Sequence, residues 1–107
     1  MSADSAASDL LAICLQVRAL AVRYGLQVLE AADWSLAWRP ADRSDRRLLR
    51  EASCICHAID AETFLARSKA DPFRVRQCVR VRFAWRGPAA RHRAVALLAW
   101  PHPSDRA

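Results

Sequence analysis

Apolar residues recur every second position in the last third of the chain and every third or fourth position in the first quarter. From Phe73 to Arg86 the sequence reads FRVRQCVRVRFAWR. One row holds Phe73, Val75, Gln77, Val79, Val81, Phe83 and Trp85. The other holds Arg74, Arg76, Cys78, Arg80, Arg82, Ala84 and Arg86. Side chains alternate across a strand, so this pattern predicts a long strand with a greasy side and a guanidinium side. Gly87-Pro88-Ala89-Ala90 predicts a turn and Arg91–Trp100 the return strand, ended by Pro101. A four-residue loop pairs Arg86 with Arg91. Trp85 then meets His92, Phe83 meets Ala94, Val81 meets Ala96 and Val79 meets Leu98. On the opposite face Arg82 meets Val95 and Arg80 meets Leu97, with Arg93 beside them. Gln77 interrupts the apolar row, and a bulge is expected near Gln77-Cys78.

Leu10 to Tyr24 has helical spacing, with Ser8 as a cap and Gly25 as a stop. Its apolar residues cover most of the circumference, which predicts a helix that is largely buried or meets a partner. Leu26–Leu29 and Trp34–Arg39 read as short strands, the second stopped by Pro40. Asp42 and Ser44 can cap a second helix. Its inner face would hold Leu48, Leu49, Ala52, Ile55, Cys56 and Ile59, and it would end by Ala70, ahead of Asp71-Pro72. The predicted fold is a single α+β domain over 1–107, with residues 1–7 and 102–107 as loose tails. It is a two-layer sandwich, two helices on one face of a mainly antiparallel four-stranded sheet, in the order αββαββ.

Charge sharpens this picture. The chain of 107 residues carries a net charge of +6. Residues 1–71 hold eight Arg and one Lys against ten acids, whereas residues 72–107 hold eight Arg against Asp105 alone. The positive field therefore belongs to the last third. The predicted binding residues are Arg74, Arg76, Arg80, Arg82, Arg86, Arg91 and Arg93, gathered on one wet sheet face. Arginine suits phosphate and carboxylate because its planar fork donates two parallel hydrogen bonds. Phe83, Trp85 and Trp100 point to the core, so base stacking is not expected, and a nucleic-acid contact would be to the backbone and non-specific. Val95 and Leu97 beside the arginines make a mixed patch of the kind protein interfaces favour. The functional expectation is a small non-enzymatic binding module that holds nucleic-acid backbone. The alternative is an adaptor or inhibitor docking on an acidic protein surface, for example a mobile-element protein that inhibits a bacterial defence complex. Self-association as a homodimer fits the same patch.

Other chemistry finds little footing. Gly25 and Gly87 are the sole glycines, too few for a phosphate-cradling loop. No serine has a nucleophile-elbow context, and no catalytic residue is assigned. Cys54, Cys56 and His57, with Cys78, could supply zinc ligands, but on a helix Cys54 and Cys56 would point apart, and no metal or cofactor is expected. The four cysteines lack framework spacing, and Met1–Asp9 does not resemble a secretory leader. Free thiols in a reducing, cytoplasmic compartment are expected. Leu10–Val22 is too short an apolar run to span a bilayer.

Overall fold

The structure is a computed structural model that describes residues 3–36 and 45–102. It is α+β, with two helices and five strands in one antiparallel sheet. Helix α1 spans Ala3–Tyr24, beginning well before the expected Leu10. Strands β1 (Gln27–Leu29) and β2 (Trp34–Leu36) flank a 3-10 turn at Ala31–Asp33. Helix α2 covers Arg46–Ser53, and β3, β4 and β5 cover Ala58–Ser68, Val75–Arg86 and Arg91–Ala99. Strand order is β1-β5-β4-β3-β2. Among the described residues no helix is long and apolar enough to cross a membrane.

The last hairpin keeps its predicted register throughout: Arg86 pairs with Arg91, Trp85 with His92, Arg82 with Val95 and Val79 with Leu98. Two details differ. Phe73 and Arg74 precede the strand, and the β3–β4 ladder runs unbroken past Gln77 and Cys78. Among the described residues the register shift lies in β3, between Ala58 and Asp60.

The second helix is where the prediction fails most. It stops at Ser53, and His57, with φ 64, turns the chain back on itself. Residues 58–68 then form a fifth strand rather than more helix. Two features favour the strand. Thr63 and Phe64 suit a pleated surface, and Asp60 and Glu62 land opposite Arg82 and Arg80, where opposite charges stabilise a cross-strand pair. The proposed caps Asp42 and Ser44 lie outside the described residues. Asp45 caps α2 instead, accepting from the backbone N–H of Arg47 and Leu48 at 3.0 and 3.1 Å.

The main core lies between the helices and one sheet face. It joins Ile13, Val17, Leu20 and Ala21 of α1 and Leu48 and Ala52 of α2 to Val79, Val81, Phe83 and Leu98. Gln16 ties α1 to the turn after α2, accepting from the Cys56 N–H at 2.9 Å.

The opposite face carries a second core, which the sequence reading left to solvent. Strands β1 and β2 do not pair with each other. They sit at opposite sheet edges, although only residues 30–33 separate them. In a flat sheet those edges lie about 19 Å apart, four strand spacings. The five steps from Leu29 to Trp34 reach only about 17 Å when fully extended, and three of those residues are wound into the 3-10 turn. The sheet must therefore curl at this end. Within the curl, Ala66, Cys78, Leu97 and Ala99 are buried against Leu29, Ala31, Trp34, Leu36 and Phe64. Small residues at the centre suit a concave surface. Burial pushes the Cys78 thiol up to about 11, which keeps it protonated and unreactive.

Candidate functional site

The arginine-bearing face does not form one uniform platform. Moving along β4 from Val75 to the turn, its guanidinium groups meet three environments.

At the curled end Arg76 is only 2% exposed. It donates to the Gln27 side-chain oxygen at 3.1 Å and to the Trp100 carbonyl at 2.8 Å. These two hydrogen bonds offset part of the cost of burying the charge, and they fasten β1 and the end of β5 to β4. Arg76 is thus a structural tie and is withdrawn from any surface contact. Leu97, expected at an interface, is 1% exposed within the second core. Arg74 lies over the Trp34 ring, 5.8 Å from its centroid.

In the middle of the ladder, carboxylates from β3 neutralise two arginines. The Glu62 side chain accepts from Arg80 at 3.1 Å, and the Arg80 guanidinium lies 4.4 Å from the centroid of Phe64. Asp60 accepts from both Nε and Nη2 of Arg82. That hydrogen bonding holds the Asp60 carboxyl below its usual range and raises Arg82 in turn. The expectation of an acid-free face is corrected here: acids do vanish from the sequence after Asp71 until Asp105, but folding returns two from upstream.

At the turn, Arg86, Arg91 and Arg93 are exposed and make no ion pair with any described residue. Arg86 and Arg91 sit directly opposite each other, an arrangement that like charges disfavour unless an anion intervenes. Ring contacts and a Gly87 N–H to Ala90 carbonyl hydrogen bond of 2.9 Å brace the turn. The His92 ring stacks on Trp85 with centroids 5.4 Å apart, and the His57 ring centroid lies 5.7 Å from that of Trp85. A Cβ at Gly87 would come within 2.6 Å of His92 Nε2, so this position takes glycine because the imidazole lies against the turn.

Beside the turn runs an apolar surface. Helix α1 buries Ile13 and Val17, yet Leu11 is 60% exposed and Leu15 57% exposed on its far side. Together with Leu10, Cys14 and Val28 they line a groove of about 450 Å³ that reaches Ala94, Val95 and Ala96 of β5. Val95, predicted as an interface residue, is 46% exposed.

Phe83, Trp85 and Trp100 are buried as expected, and Phe64 and Trp34, rings on the arginine face, are half-buried with Arg80 and Arg74 across them. Neither of those two rings is bare for a base to stack on. Cys54, Cys56 and His57 follow α2 in a turn rather than lying on a helix. Among the described residues no three His, Cys, Asp or Glu side chains gather as a metal-binding group. Sequence reasoning missed Asp60, Glu62 and Phe64 as members of the arginine face. The signal was there: Asp60, Glu62 and Phe64 alternate with Ala61, Thr63 and Leu65 in a period of two. Compared with known proteins, the chain matches no family model, no curated protein and no solved structure.

Proposed function

We propose that this chain is a small non-enzymatic binding module whose last hairpin engages an acidic protein surface. The observation that carries this reading is that Arg91 and Arg93, which pair with no described carboxylate, share a face of β5 with exposed Val95, while Leu10 and Leu11 lie exposed on the α1 side of the same strand. Arginine is enriched at protein interfaces, whose buried centres are more apolar than the surrounding surface, and this supports a role as adaptor or inhibitor. Nucleic-acid backbone is the second reading, favoured by the Arg86–Arg91 pair, which meets no carboxylate among the described residues. With three unpaired arginines, such binding would show a salt dependence with a slope of about −3 on logarithmic axes for duplex DNA.

A pull-down from native lysate, with and without nuclease, separates the two when run beside Leu11→Asp and the triple variant Arg86→Glu/Arg91→Glu/Arg93→Glu. An acidic protein partner survives nuclease and is lost in both variants. A nucleic-acid partner is lost to nuclease and is indifferent to Leu11→Asp, and that result would reverse the order of the two readings.

A further inference from the structure

We infer that the free edge of β5, residues 91–96, accepts an extended segment of a partner protein as an added antiparallel strand. The partner's carboxylates would lie against Arg91 and Arg93, and its apolar side chains would enter the groove beside α1. This rests on the protein-binding reading above and specifies how that partner docks.

The edge is free because β1 covers only part of it. Strand β1 pairs with Leu97, Leu98 and Ala99, and the chain then leaves the edge and folds over the second core. The phase of the ladder identifies which backbone groups are left. The Gly87 N–H donates to the Ala90 carbonyl and the Trp100 N–H to the Gln77 carbonyl. Hydrogen-bonded pairs alternate between these two points, so His92, Ala94 and Ala96 bond to β4. The N–H and C=O groups of Arg91, Arg93 and Val95 point outward, and no described residue pairs with them. That is a template for three paired positions of an incoming strand.

The side chains of an added strand would divide between two faces. Residues opposite Arg91 and Arg93 share the face of those guanidinium groups. Residues opposite Ala94 and Ala96 share the face of α1, where the groove presents Leu10, Leu11 and Cys14. The edge thus calls for alternation of acid and aliphatic. Charged residues on an edge also serve to prevent self-pairing, but that role gives no reason for the bare leucines alongside. A second copy of this chain is a poor occupant. Edge-to-edge pairing about a two-fold axis that centres on Arg93 sets arginine against arginine. The edge of β3 is a poorer template, since its register breaks between Ala58 and Asp60 and its acids already hold Arg82 and Arg80.

The test uses the full chain and a blocked decapeptide alternating glutamate with valine, read by fluorescence anisotropy. Binding is expected, with at least a tenfold loss when the glutamates are N-methylated and little change when the valines are. Glutamates opposite Arg91 and Arg93 must donate their N–H groups to β5, whereas the valine N–H groups point away. Val95→Pro should match the first loss, because it removes an outward N–H and leaves the β4 ladder intact. Hydrogen exchange should show new protection at Arg91, Arg93 and Val95. No binding of the decapeptide, or equal binding of both methylated forms, overturns strand addition. If Arg91→Glu/Arg93→Glu still abolishes binding in the latter case, the acidic-partner reading stands without it. A lysine–valine peptide that binds as tightly as the glutamate one, or a duplex DNA that displaces the peptide, overturns both. Dimerisation of the free chain that Val95→Pro reverses would assign the edge to a second copy and overturn the proposal.

Discussion

The two ends of the β4–β5 ladder share one sequence pattern and have opposite fates. At the curled end the sheet is five strands wide, both faces are covered, and Arg76 is buried on side-chain and carbonyl oxygens. At the turn only β3, β4 and β5 remain, and Arg86, Arg91 and Arg93 stand in solvent. Between the two, Arg80 and Arg82 are held by Glu62 and Asp60. Alternation sets which face an arginine occupies. What that arginine does there depends on which distant strand arrives beside it.

The strongest way to break this comparison is along β5. Leu97→Ala, in the second core, should cost about 2–5 kcal/mol. Val95→Ala, two residues nearer the turn on the same face, should change stability by less than about 0.5 kcal/mol. Urea denaturation of the two variants measures the difference, and similar losses would mean that the sheet is covered equally along its length.

Next in size is the contrast among arginines. Arg76→Met leaves the Gln27 and Trp100 oxygens without their donor and should cost about 1–3 kcal/mol. Arg86→Met removes a like-charge contact and should be neutral or slightly stabilising, as thermal melts would report.

A smaller effect concerns acid. Asp60 is held below its usual range by Arg82, so its contribution is fully present above the unfolded carboxyl pKa of about 4 and is lost as pH falls through the lower folded value. Asp60→Asn should flatten the fall in melting temperature below about pH 4. A profile unchanged in that variant would show that the pair adds nothing to folding.

The smallest expected change is at the turn. Arg91→Glu places a carboxylate opposite Arg86 and should stabilise by about 0.2–1 kcal/mol. The same change should weaken any anionic partner, so stability and binding would move in opposite directions.

The sequence made the last hairpin readable to the residue, because a strict alternation on both arms and a fixed loop length leave one register that puts Phe83 and Trp85 on the inner face. Residues 58–68 were harder. Leu48, Leu49, Ala52, Ile55 and Ile59 extend a helical face, and that continuity masked the shift to a period of two after His57. The error carried into the site, since a helix would have kept Asp60 and Glu62 away from the arginines. Strands of three residues were a different difficulty. Leu26–Leu29 and Trp34–Arg39 read as strands, of which Gln27–Leu29 and Trp34–Leu36 are observed and residues 37–39 lie outside the described residues, but nothing local names β5 and β3 as their partners.

That remoteness has a bearing on how the chain reaches its final form. Strands β3, β4 and β5 follow one another as a meander, whereas Gln27 must find Ala99, 72 positions away. Closing so long a loop is slow, so the meander is expected to assemble first and the Leu29–Trp34 strap to wrap it afterwards. Until the strap arrives the whole length of β5 is bare, and whatever recognises its uncovered half in the finished molecule would find a longer stretch of the same edge on a nascent one.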